Sequence, residues 1–288
     1  MRVLQLSWNG CQGWLVGVAS AILLAGCSTI RVPAPDTLIA HRGESFDAPE
    51  NTIAAYRTAV ERGFGFECDI YRSKDGRFFT FHDGNLTRTT DGRCTNRCVD
   101  VTWADLAAVN VGGWGKWKGT RFDPMRPALL EEVLDLARPG RKIYVEVKAD
   151  DASAAWVPEI RDVVRRHPKA SPETVLFIAF GRKTCAELKR LMPEYKVYLL
   201  VGGPIKPVDQ VLSMLRDCGA DGVDEAFIPS LITEDYIRTV KEAGYEFHAW
   251  TIDDPEIAEL AFRRGADTVT TNRAKAILES HNKSTGGK

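Results

Sequence analysis

Four apolar runs of this chain carry ionisable residues in pairs at or near their C-terminal ends. His41-Arg42 closes the first run, Glu67 and Asp69 lie two apart in the second, His82-Asp83 closes the third, and Glu146 and Lys148 lie two apart in the fourth. On a β-strand, residues two apart share a face, so each spaced pair points one way. Charge placed in an apolar run costs on the order of several kcal/mol per ion unless it is paired or metal-bound. Three carboxylates on neighbouring strands, Glu67, Asp69 and Glu146, offer oxygen only, which suits a hard cation such as Ca2+ or Mg2+ and not zinc. The alternative is a structural network in which Glu67 and Asp69 pair with Arg42 and Lys148. Two strand-end histidines beside carboxylates, His41 and His82, suit acid–base work, because imidazole titrates near neutral pH. The other histidines lack such company: His167 and His281 read as surface helix residues, and His248, beside Trp250, as a core histidine.

The elements that must position these residues alternate. Strand-like runs fall at Thr37–Ala40, Gly65–Tyr71, Phe78–His82, Lys142–Lys148, Val175–Phe180, Lys196–Val201, Gly222–Phe227, Glu246–Ile252 and Asp267–Thr271. Helical periodicity covers Asn51–Arg62, Ala154–Arg166, Thr184–Met192, Val208–Cys218, Thr233–Ala243 and Pro255–Arg264, with Gly63 a stop signal for the first. Repeated strand–helix units predict parallel strands with helical crossovers. Their number, over about 250 residues, predicts an α/β fold of the (β/α)8 TIM-barrel type. The open doubly wound sheet is the competing architecture, but no Gly-rich fingerprint follows the first strand. Nine runs compete for eight places, and Ser73–Arg77 is too short for a parallel crossover, so a hairpin or a distorted barrel is expected near the second and third strands. Residues 84–129 hold one short helix, Trp103–Val109, and read as a loop-rich insertion after the third strand, the usual place for a functional cap.

The ends of the chain read differently. Arg2 is the only charge before Arg31, and Trp14–Ala25 is a short apolar run ending in Leu24-Ala25-Gly26-Cys27. This is the pattern of a signal peptide (1–26) with a lipobox, so Cys27 is expected to carry lipid and 27–36 to serve as a tether. Ser28 in place of Asp gives no inner-membrane retention signal. The protein is therefore expected to be exported and anchored by lipid to the cell envelope, in the outer membrane facing the periplasm if the host is Gram-negative. The barrel domain takes 37–280, and 281–288 reads as a frayed polar tail. Of the seven cysteines, Cys94 and Cys98 are spaced to close a small loop in a disulfide-permissive compartment. Cys68, Cys185 and Cys218 read as small buried hydrophobes. Lys and Arg total 38 against 39 Asp and Glu, so there is no global basic field and no nucleic-acid partner is expected. Oligomeric state is not legible.

Taken in order, His41-Arg42-Gly43, Pro49-Glu50-Asn51-Thr52, Glu67-x-Asp69, His82-Asp83 with Leu86-Thr87-Arg88-Thr89-Thr90, Glu146-Val147-Lys148 and Trp250-Thr251-Ile252 resemble the glycerophosphodiester phosphodiesterase family across residues 37–277. The resemblance implies a (β/α)8 barrel that hydrolyses a small-molecule glycerophosphodiester to glycerol 3-phosphate and an alcohol, using a divalent cation. It implies Glu67, Asp69 and Glu146 as metal ligands, His41 and His82 as the acid–base pair, and Arg42 and Lys148 as phosphate ligands. Glu50 either binds metal or glycerol or places charge at a helix N-terminus. Trp250 either walls the glycerol or packs in the core. Retention of the Glu-x-Lys pattern separates the chain from the related phospholipase D toxins. Ala179-Phe180 replaces the family's usual Ser-Phe, and Thr271-Asn272-Arg273-Ala274 lacks its usual Pro.

Overall fold

The computed structural model describes residues 31–286; Cys27 and the rest of the expected signal peptide lie outside the described residues. The first strands are β1 (Leu38–Ala40), β2 (Gly65–Arg72) and β3 (Phe78–Thr80), followed by β4 (Ile143–Val147), β5 (Val175–Ala179), β6 (Val197–Val201), β7 (Gly222–Ala226), β8 (Glu246–Trp250) and β9 (Thr268–Thr271). All but β3 run parallel, and β1 pairs with both β2 and β9, so eight strands close a (β/α)8 barrel. The surplus run is the third, Phe78–His82, which resolves as one arm of a hairpin. β2 continues past the barrel wall, and its end, Ile70–Arg72, pairs antiparallel with β3. The turn between them is tight: Ser73 Oγ accepts from Arg77 N–H at 2.8 Å, and Gly76 sits at φ +85°. β3 stops at Thr80, so His82 stands in the loop beyond it and not on the strand.

The helices are α1 (Ile53–Glu61), α2 (Trp103–Leu106), α3 (Leu130–Leu134), α4 (Val157–Arg166), α5 (Arg182–Leu191), α6 (Val208–Cys218), α7 (Glu234–Glu242), α8 (Pro255–Arg263) and α9 (Ala274–Gly286). α1 begins where Thr52 Oγ1 accepts from Ala55 N–H. α4 starts later than its periodicity suggests, because Asp150–Trp156 forms a 3-10 helix. Two helices were not anticipated. α3 is one short turn, and α9 runs through residues 281–286, the expected frayed tail, because Ala274 and Ile277 bury against the barrel. None of the described helices is long and apolar enough to cross a membrane.

Strand alternation sorts the side chains. On β5, Val175, Phe177 and Ala179 face the helices, while Leu176 and Ile178 join Ile39, Tyr144, Tyr198 and Leu200 inside the barrel. His248 is buried among these inner rings, 4.0 Å from Tyr198 between ring centroids, with Nδ1 2.7 Å from Thr268 Oγ1, a core histidine. Residues 84–129 cap the barrel through a separate cluster: Leu86, Cys98, Val101, Leu106 and Val111 pack on Tyr71, Phe79 and Phe81. Cys94 and Cys98 keep separate thiols, and Cys98 Sγ donates to the Asp83 carbonyl at 3.2 Å. The loop is tied by Thr90 Oγ1, which accepts from Cys94 N–H and donates to Leu86 O.

Candidate active site

Glu67, Asp69, Glu146 and Trp250 reach the C-terminal mouth on strands, and His41, Arg42, His82 and Lys148 stand in the loops just beyond β1, β3 and β4. β2 and β4 are in register at Asp69↔Glu146, so Glu67, Asp69 and Glu146 project together into the barrel. One oxygen from each lies within 4.8 Å of the others, and all three residues are buried. Gly43 makes room for the turn after β1: it sits at φ +77°, and a Cβ there would come within 2.6 Å of the Ala55 carbonyl carbon. Arg42, itself at φ +54°, thereby points its N–H at Glu67 Oε2, 2.8 Å away.

Both readings of the charge cluster are partly realised. Lys148 Nζ lies 2.7 Å from Glu146 Oε1 and 3.3 Å from Asp69 Oδ1, and Arg42 Nε lies 3.6 Å from Asp69 Oδ2. Asn51 Nδ2 donates to Asp69 Oδ2 at 2.7 Å, and Tyr56 holds Asn51 in place. Yet among the described residues Glu67 Oε1 is buried with no hydrogen-bond partner, and Asp69 Oδ1 has only the unaligned ammonium. Burial, then the neighbouring Asp69 and Glu146 charges, pushes Glu67 well above the usual carboxylate range. Burial, then Asp69, lifts Glu146 to about 8. Asp69 stays low because Lys148 and Arg42 outweigh its burial. Carboxylates crowded this way need protons or a cation between them. The oxygen-only donor set and the orphaned oxygen fit a divalent cation such as Ca2+ or Mg2+.

Both histidines are held by Nδ1. Asn272 Nδ2 donates to Asp253 Oδ2, which turns Asn272 Oδ1 toward His41 Nδ1 at 2.8 Å. His41 Nδ1 therefore carries the proton, and Nε2, 4.0 Å from Glu67 Oε2, is an acceptor. Burial, then the Arg42 charge, lowers His41 to about 4. His82 Nδ1 meets Asp83 Oδ1 at 2.7 Å, and Asp83 is in turn gripped by Arg88 Nε at 2.8 Å. Glu50 stands apart from the carboxylate cluster. Its oxygens take Arg42 Nη1 at 2.8 Å and Arg88 Nη1 and Nη2 at 2.8 and 2.7 Å. Glu50 thus orients the two arginines.

A cavity of about 220 Å3 opens between these residues and a second wall formed by Ile178, Phe180, Leu200, Asp224, Trp250 and the threonines 251 and 270. Trp250 is fixed there: its Nε1 donates to the Asp224 carbonyl at 2.8 Å, and its ring meets Phe180 edge-on at 5.7 Å. His41, Arg42, Glu67, His82, Glu146, Lys148 and Trp250 all line the cavity. Sequence reasoning missed Asn272, Asp253, Asp224 and the clamp by Arg88. Arg88 lies in a quoted motif and was readable as a basic residue near His82-Asp83. The others depend on contacts between distant strands.

The family model described as the glycerophosphoryl diester phosphodiesterase family matches residues 41–276. A glycerophosphodiester phosphodiesterase of Caldanaerobacter subterraneus subsp. tengcongensis is 29% identical over 248 residues, covering 84% of this chain and 96% of the relative. The Bacillus subtilis enzyme of the same name is 25% identical, covering 83% of this chain and 85% of its own. Among solved structures, an Oleispira antarctica phosphodiesterase in complex with the product sn-glycerol-3-phosphate superposes with a TM-score of 0.75 at 26% identity, covering 85% of this chain and 96% of that one.

Proposed function

The chain belongs to the glycerophosphoryl diester phosphodiesterase family, and on that premise we propose that it hydrolyses glycerophosphodiesters to glycerol 3-phosphate and an alcohol with a divalent cation, Ca2+ or Mg2+, held by Glu67, Asp69 and Glu146. The observation that carries the metal reading is the orphaned Glu67 Oε1 inside a buried carboxylate trio, which the surrounding ion pairs leave unsatisfied. When bound, the cation neutralises negative charge on a phosphoryl oxygen.

The chain's own residues supply the rest. Arg42 and Lys148 present their charges to the anionic phosphodiester, Arg42 by two N–H groups and Lys148 as a point charge. Binding draws both cations away from Asp69 and Glu146 toward the phosphate. His41 and His82 each expose Nε2, because Asn272 and Asp83 hold their Nδ1 atoms. One ring takes the proton of the nucleophile, either water or the glycerol 2-hydroxyl, and the other gives a proton to the alcohol oxygen whose bond to phosphorus breaks; attack by the 2-hydroxyl forms a cyclic phosphate, which a water molecule then opens to glycerol 3-phosphate. Trp250 walls the side of the cavity away from the carboxylates.

The test is release of glycerol 3-phosphate from glycerophosphocholine, with and without EDTA and with Ca2+ or Mg2+ restored. Activity that survives chelation removes the metal from this reading, and absence of product removes the substrate class. We also propose that Cys27 is lipidated and holds the domain at the cell envelope, resting on Leu24-Ala25-Gly26-Cys27 alone. Palmitate label retained by Cys27→Ser would refute the anchor.

A further inference from the structure

We infer that Asp224 is the residue that recognises the glycerol moiety, its carboxylate accepting a hydrogen bond from a glycerol hydroxyl on the cavity wall opposite the phosphate. The inference rests on the activity proposed above. Following the pairing around the barrel from β1 through β2 and β4 to β9, β7 lies four strands from β2 in either direction, so Asp224 stands across from Glu67 and Asp69. It is in register with Leu200 and His248, both of which point inward. Asp224 is 1% exposed, lines the cavity, and its Oδ1 is buried without a hydrogen-bond partner. It is the single carboxylate of that wall among the described residues, set between Leu200, Trp250 and Ile178.

A buried, unpartnered carboxylate is costly and, in a cavity, marks a place that a ligand's donor completes. Burial lifts Asp224 to about 6, against only the opposing effect of His248, which agrees with a group awaiting a partner. Its neighbour Glu225 points outward, where Tyr236 OH donates to it at 2.9 Å, so the alternation leaves Asp224 alone inside. The donor it takes is a hydroxyl. A quaternary ammonium has no N–H to give. The short glycerol, common to all substrates of this class, is the part able to reach a closed wall, while the variable alcohol needs the open side. Trp250, Leu200 and Ile178 supply apolar faces for the glycerol carbons.

The experiment compares wild type with Asp224→Leu and Asp224→Asn on glycerophosphocholine, glycerophosphoglycerol and bis-p-nitrophenyl phosphate, and measures glycerol 3-phosphate binding by calorimetry. For Asp224→Leu, kcat/KM on both glycerol diesters, taken relative to bis-p-nitrophenyl phosphate, is expected to fall roughly 10–100-fold, the range of a lost hydrogen bond to a charged group. Glycerol 3-phosphate affinity should fall alongside, and Tm should rise, because an unpaired buried charge is gone. Asp224→Asn keeps the shape and should show a smaller drop; it carries the comparison if the leucine variant does not fold. An unchanged ratio overturns the inference, as does a fall in Tm with equal losses on all three diesters. A loss confined to glycerophosphocholine assigns Asp224 to a cationic head group instead. If wild type releases no glycerol 3-phosphate from either glycerol diester, the proposed function fails with it; if wild type is active and the variants match it, only the role of Asp224 falls.

Discussion

Asp69 and Asp224 are the same residue type, each 1% exposed, on opposite walls of one cavity, and they are shifted in opposite directions. Asp69 has Lys148 and Arg42 within ion-pair distance and two hydrogen bonds with Asn51, and it stays ionised against its burial. Asp224 has no such company, and burial raises it to about 6. The near wall is preassembled for charge, as electrostatic catalysis of phosphoryl chemistry requires. The far wall is left incomplete, and the substrate completes it. Chemistry and recognition thus divide between two halves of the barrel with different electrostatic economies.

Breaking the near wall should have the largest effect. Glu146→Gln or Glu67→Gln removes one charged donor from the trio, and the activity loss should exceed the roughly 10–100-fold that outer-shell partners of a metal typically cost. Cation affinity by calorimetry should fall in step, with the circular dichroism spectrum unchanged. Loss of activity at unaltered cation affinity would refute these residues as ligands. His41→Ala and His82→Ala come next, each costing roughly 10²–10⁴ in turnover, with the double variant costing far less than the product of the two losses. Bis-p-nitrophenyl phosphate has good leaving groups and should restore the variant that lacks the general acid more than the one that lacks the base. Near wild-type turnover by both single variants on glycerophosphocholine would return the histidines to a structural role.

The near wall was legible in the sequence because its residues come in short adjacent groups. Glu67-x-Asp69 and Glu146-x-Lys148 need only strand alternation to point inward, and His41 needs only to follow β1. The far wall was not. Asp224 and Glu225 are neighbours, so alternation says that one faces inward without saying which; the closed ring and the Tyr236 hydroxyl on α7 decide it. Asn272 reaches His41 across 231 residues, a contact no local pattern carries. β3 and α3 are too short to declare their place, and the antiparallel pairing of β3 is set by the continuation of β2 beyond the barrel. α9 was hidden by its polar composition, since its buried contacts are few.

The opposed aspartates also predict a pH signature. Asp224 has a folded pKa near 6 against the ordinary 3.8, so between those values the folded state holds the extra proton. Its contribution to stability is full below about 3.8 and is lost as pH rises through 6. Asp224→Asn removes that slope. In urea unfolding without cation or substrate, the variant should gain on the order of 3 kcal/mol over wild type between pH 3.5 and 7.5, at about 1.4 kcal/mol per pKa unit. Parallel curves for the two proteins would mean that Asp224 is satisfied within the fold, and the contrast between the walls would disappear.

The smallest expected effect lies where the two walls meet, at the end of β9. Asn272 touches neither the carboxylate trio nor the cavity, but it accepts from His41 Nδ1 and is itself oriented by two contacts with Asp253, from the backbone N–H and from Nδ2, both at 2.8 Å. Ser45 Oγ donates to the same Asn272 oxygen at 3.0 Å, so the oxygen is fixed from two sides. Asn272→Ala frees the imidazole to rotate and to exchange the nitrogen that bears the proton, which should lower kcat roughly tenfold, the scale of one hydrogen bond, with little change in KM. The discriminating measurement is the same substitution made in His41→Ala. A residue that works only by holding His41 has nothing left to hold there, so the further loss should vanish. If Asn272→Ala costs the same tenfold in both backgrounds, it acts on the barrel end as a whole and not through the histidine.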